Sequence, residues 1–101
     1  MIKHVENKEE LLELIKNGDV LLDFFATWCG PCKMLSPVLE ELDRDGFPVQ
    51  IVKVDTDEAP ELAMEYGVQA IPTLFFISDG NVINKTMGYQ RKDQLIAFCK
   101  K

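Results

Sequence analysis

Cys29 and Cys32 are the residues whose type and spacing most directly suggest chemistry, set in the stretch Trp28-Cys29-Gly30-Pro31-Cys32. Two intervening residues keep the sulfurs close enough to join or separate. The run before them, Val20-Leu21-Leu22-Asp23-Phe24-Phe25-Ala26, is apolar and broken by one acid. It is short enough for a buried strand. After them Leu35, Val38, Leu39 and Leu42 repeat at i, i+3, i+4 and i+7, the spacing of one helix face. The pair therefore sits where a strand ends and a helix begins. Unpaired N–H groups and a partial positive charge at a helix start favour thiolate over thiol. Thiolate is the nucleophile of disulfide exchange. Gly30 permits the tight turn, and Pro31 suits the first helical turn.

Composition narrows the alternatives. A chain of 101 residues with 47% hydrophobic content is expected to form one domain, residues 1–101, around one core. A net charge of −6 with scattered Lys and Arg argues against nucleic acid as a partner. The longest apolar run is too short to span a membrane. Met1 to Glu6 turns acidic at once, so no export signal and a cytoplasmic location are expected. Three cysteines are too few, and an odd number, for a disulfide-stapled fold. Half a zinc site is the bland reading of Cys29 and Cys32. Only Cys99 and His4 remain as further ligands, and they form no second pair.

The elements needed to position the pair can be read in order. Ile2 to Val5 suits a short strand. Asn7 with Glu10 three residues on suggests a helix cap, and Leu11, Leu12, Leu14 and Ile15 line the helix that follows. The helix after the motif is expected from Cys32 to about Asp43, with a kink at Pro37. Val49 to Val54 reads as a strand. Asp55, Thr56 and Asp57 offer caps for a short helix on which Ala59, Leu62, Ala63 and Tyr66 share a face. Thr73 to Ile77 and Val82 to Met87 read as a hairpin around Asp79-Gly80. A last helix is expected from about Arg91 to Lys100. The order βαβαβα then ββα predicts one mixed α/β sheet with helices on both faces.

With these landmarks the chain resembles the thioredoxin family over essentially its whole length. The resemblance is carried by Asp23-Phe24, Trp28 to Lys33, Pro37, Lys53 and Asp55, Ile71-Pro72-Thr73, Asp79-Gly80 and Gly88. It implies a thioredoxin fold, a mixed five-stranded sheet flanked by four helices. It also implies a general protein-disulfide reductase that binds no cofactor and works through a redox-active Cys29–Cys32 disulfide. Cys29, as the more exposed sulfur, would attack the client, and Cys32 would resolve the mixed disulfide. Asp23, buried beneath the pair, would move protons to and from Cys32, and Lys53 would tune Asp23. Pro72 would be cis. Trp28, Gly30, Pro31, Ile71, Pro72, Thr73 and Gly88 would form the client-binding surface. The implied partners are a thioredoxin reductase and clients such as ribonucleotide reductase, methionine sulfoxide reductase and peroxiredoxins, met by a monomer.

Three positions depart from the commonest family pattern. Phe25 stands where many members carry a second Trp, Tyr89 follows Gly88 where a small residue is common, and Cys99 is extra. Two other functions compete with reduction. One is an oxidase or isomerase of the protein-disulfide-isomerase type, against which Gly30-Pro31 counts. The other is a binding module that uses the flat apolar face and not the thiols. Cys99 shares a helix face with Leu95 and Phe98, so it should point inward as an inert thiol.

Overall fold

The computed structural model describes residues 1–101. In chain order the elements are β1 (Lys3–Val5), α1 (Lys8–Ile15), β2 (Asp19–Phe25), α2 (Gly30–Arg44), β3 (Gln50–Asp55), α3 (Pro60–Glu65), β4 (Thr73–Ser78), β5 (Asn81–Met87) and α4 (Lys92–Phe98). The five strands form one sheet in the order β1-β3-β2-β4-β5. β3 runs parallel to both β1 and β2, while β4 is antiparallel to β2 and β5. The expected mixed sheet with helical crossovers and an antiparallel edge is present.

β2 lies in the centre, so both its faces are covered. Val20, Leu22 and Phe24 pack on one side with Leu11 and Ile15 of α1 and Leu62 and Ala63 of α3. Leu21 packs on the other with Leu35, Leu39 and Leu42 of α2 and Leu95 of α4. Side chains alternate along a strand, so Asp23 and Phe25 fall on the α2 side with Leu21. An acid thus enters the sheet in the face covered by the helix that carries the cysteines.

Several local expectations hold and several are corrected. Asn7 caps α1, its side chain accepting from the Glu10 N–H at 2.9 Å. Leu12, expected on the inner face of α1, is exposed, because the buried stripe is Leu11 and Ile15, one turn apart. α2 continues as one helix through Pro37. α3 begins after Ala59 without a side-chain cap, and Pro60 opens it. Asp55 instead closes a turn by accepting from the Asp57 N–H at 2.8 Å. α4 stops at Phe98, which leaves Cys99 at its C-terminal cap with Ile96 on the exposed side. Asp79-Gly80 makes the hairpin turn, both residues at positive φ.

Candidate functional site: a disulfide at the head of α2

Cys29 is the N-cap of α2, and Cys32 lies in its first turn. They are joined as a disulfide with their Cα atoms 5.2 Å apart. The Cys32 N–H donates to Cys29 Sγ at 3.2 Å. A cap position normally satisfies one free N–H of the first turn with an oxygen; here a sulfur does it. No acid occupies that turn. When the pair is reduced, the N–H and the helix dipole both favour negative charge on Cys29. The two cysteine residues are equally exposed, at 5% each. The expected greater exposure of Cys29 is therefore not found for the whole residues, and what separates them is position along the helix.

The Ile71–Pro72 bond is cis. The loop that carries it packs on the pair: Ile71 sits against Ala26, Cys29 and Cys32. The Ile71 carbonyl oxygen is 3.7 Å from Cys29 Sγ. The loop is tied to the end of β5, where the Gly88 N–H donates to the Pro72 carbonyl at 2.8 Å. Gly88 has φ +88, a conformation that favours glycine.

The expected client-binding residues do not all reach the surface. Trp28 is 68% exposed, and Gly30 and Pro31 are exposed beside it. Ile71 and Gly88 are half-buried. Pro72 is buried and Thr73 is fully buried, the Thr73 hydroxyl donating to the Ala70 carbonyl. Thr73 is thus corrected from a client-contacting residue to one that shapes the loop. Its side chain begins β4, where both sheet faces are covered. The Trp28 indole N–H donates to Asp57 at 2.8 Å, which orients the ring. A groove lined by Trp28, Thr56, Ala63, Val68, Ala70 and Ile71 runs alongside.

On the sheet face covered by α2, Asp23 is 2% exposed and its Oδ1 has no hydrogen-bond partner. Burial pushes its carboxyl up to about 7, partly offset by the charge of Lys53. Lys53 is its register partner on β3 and is 8% exposed. Lys53 thus faces Asp23 across the β2–β3 ladder, with no hydrogen bond or ion pair between them. A pocket of about 200 Å³ touches Cys32, Lys33, Ser36 and Lys53. The largest pocket of the molecule lies elsewhere, among Glu6, Glu9, Glu61 and Glu65, and holds no nucleophile.

Ser36 and Asp57 were missed in the sequence. Ser36 falls four residues after Cys32, which could have placed it on the same face. Asp57 lies in an acidic stretch that reads as solvated caps, and nothing in it marks a partner for Trp28. Asp23 departs from the rule that buried polar groups find partners. An orphaned carboxyl titrating near neutrality makes Asp23 a candidate functional group.

Known proteins agree with this geometry. Residues 2–101 match the family model described as Thioredoxin. A thioredoxin of Mycoplasmoides gallisepticum is 44% identical over 100 residues, covering 98% of this chain and all of that protein. One of Bacillus subtilis is 53% identical over 85 residues, covering 83% and 82% of the two chains. The oxidised form of mitochondrial thioredoxin 3 from Saccharomyces cerevisiae superposes with a TM-score of 0.87 at 40% identity, covering 96% of this chain and 92% of that one. With so much of the chain matched and a disulfide set at the start of a helix, the protein belongs to the thioredoxin family and acts as a thiol–disulfide oxidoreductase on protein disulfides.

Proposed function

We propose that Cys29 is the attacking thiol and Cys32 the resolving one. The observation that carries this is the N–H of Cys32 donating to Cys29 Sγ at the helix cap. In the reduced protein the Cys29 thiolate attacks one sulfur of a client disulfide. A bond forms between Cys29 and that sulfur, and the other client sulfur leaves as thiolate. Cys32 then gives its proton to the Asp23 carboxylate and attacks Cys29 Sγ. The Cys29–Cys32 disulfide forms, and the second client thiolate leaves. Two electrons pass from the dithiol to the client. Asp23 suits the proton step because its carboxyl, held near 7, takes and returns a proton at neutral pH.

Trp28, Gly30, Pro31, Ile71, the cis Pro72 and Gly88 are the proposed docking surface. Cys29 lies at its centre, and the Ile71 backbone pairs with the client chain. A thioredoxin reductase is the proposed source of electrons. Ribonucleotide reductase, methionine sulfoxide reductase and peroxiredoxins are the proposed clients of a cytoplasmic monomer. No helix of the structure is long and apolar enough to cross a membrane. The test is an assay with NADPH and a thioredoxin reductase. Catalytic reduction of a protein disulfide is expected with the wild type, and no reduction above the protein-free rate is expected with Cys29→Ser.

A further inference from the structure

Ser36 lies one helical turn beyond Cys32 in α2, so the two side chains share a face. Its Oγ accepts a hydrogen bond from Lys53 Nζ at 3.4 Å. The same ammonium stands 4.6 Å from the centre of the Phe25 ring. A lysine buried to this degree ordinarily pairs with a carboxylate. Here a hydroxyl and a ring face hold it instead, and no ion pair is formed. Across the β2–β3 ladder it faces Asp23, whose Oδ1 is unpartnered.

We propose that Ser36 is a positioning residue for disulfide exchange: its hydroxyl tethers the Lys53 ammonium over Phe25 and beside Asp23, and so fixes the one positive charge that faces the buried carboxyl. The inference rests on reading Asp23 as the proton acceptor of Cys32. The pocket bounded by Phe25, Thr27, Cys32, Lys33, Ser36 and Lys53 gives the lysine somewhere else to go. Without the tether its long flexible chain can carry the ammonium outward to water. The field at Asp23 would then weaken with distance and solvent.

Other charged groups border this cluster. Asp55 lies two residues along β3 on the same face as Lys53. His4 of β1 is the register partner of Lys53 and meets Phe25 edge-on, ring centres 6.4 Å apart. Lys33 of α2 lines the pocket. On the β4 side Asp23 faces Leu74, which carries no charge. None of these groups hydrogen-bonds Lys53, so the tether is left to Ser36.

The experiment follows the Asp23 carboxyl carbon by NMR across pH in the oxidised protein. Four forms are compared: wild type, Ser36→Ala, Lys53→Met and the double variant. Alanine is the best helix former, so Ser36→Ala keeps α2 intact. Removing the tether should raise the Asp23 midpoint by roughly half a unit, and Lys53→Met should raise it further. The double variant should titrate like Lys53→Met alone. An unchanged midpoint in Ser36→Ala overturns the proposal. An equal added rise in the Lys53→Met background also overturns it, because Ser36 would then act without the lysine. Because the titration reads the carboxyl itself, it stands apart from the proton-transfer reading. That reading fails if Asp23→Ala resolves mixed disulfides at the wild-type rate.

Discussion

Asp23 and Lys53 face each other as register partners across the β2–β3 ladder, yet no hydrogen bond or ion pair joins them. The carboxyl lies in the sheet face covered by α2, and the ammonium is drawn toward Ser36 and Phe25. A tight pair would hold Asp23 ionised far below neutrality. The looser arrangement leaves burial as the stronger influence, and the carboxyl titrates at about 7. An acid poised there can accept a proton from a thiol and return it.

Stability should depend on pH through this residue. The folded carboxyl titrates above its unfolded value, near 3.8. Between those two values the folded state holds the proton and the unfolded state does not. The unfolded state therefore binds fewer protons, and stability falls as pH rises through that window. Above it the loss from Asp23 is on the order of 4 kcal/mol. Asp23→Ala should consequently be more stable than wild type at pH 8, by roughly 1–3 kcal/mol, with little difference at pH 4. Urea unfolding at the two pH values measures this. A variant less stable at both would make Asp23 a structural acid.

The two thiols should fail differently. Cys29→Ser loses the nucleophile and should lower disulfide reduction to background. Cys32→Ser keeps the nucleophile but has no resolving thiol, so it should accumulate a mixed disulfide with a client, seen as a reducible band shift on a non-reducing gel. Trapping by Cys29→Ser, and not by Cys32→Ser, would reverse the assignment.

Cys99 should be nearly inert. It packs at the edge of the α2–α4 core, and burial, aided by the charge of Asp19, pushes its thiol up to about 12. With Cys29 and Cys32 oxidised, labelling of the native protein by a thiol reagent at pH 8 should be slower than for the denatured protein by roughly a thousandfold at most, less with the partial exposure of the site. Cys99→Ala should retain turnover and lose about 1 kcal/mol. Rapid native labelling would make Cys99 a second reactive site.

Gly88 should resist substitution for a backbone reason. A Cβ there would meet no atom within 4 Å, but φ is +88. Gly88→Ala should cost about 1–2 kcal/mol through strain alone. It should also disturb the N–H that holds the Pro72 carbonyl, raising KM for a protein client more than it lowers the rate of reducing a small disulfide. Thermal melts and the two assays separate these effects.

Much of this protein was legible in its sequence because the signals are local. The spacing of Cys29 and Cys32 and the helical repeat of Leu35, Leu39 and Leu42 lie within a few residues of one another. So do the apolar run around Asp23 and the hairpin at Asp79-Gly80. Chain stiffness and side-chain periodicity act over those distances, so element order and the place of the pair follow directly. The inward position of Asp23 also follows, since its neighbours in β2 are apolar on both faces. The tertiary structure alone decided what meets across the sheet. Register sets Lys53, thirty residues away and expected near Asp23 only through the family resemblance, opposite that acid and leaves the Oδ1 unpartnered. Helix packing sets Ser36 against that lysine, and loop closure gives Trp28 the carboxylate of Asp57 and Cys29 the carbonyl of Ile71. It also buried Thr73, which the motif had offered as surface. Such contacts arise from the summed packing of distant segments, and no single residue or spacing in the chain encodes them.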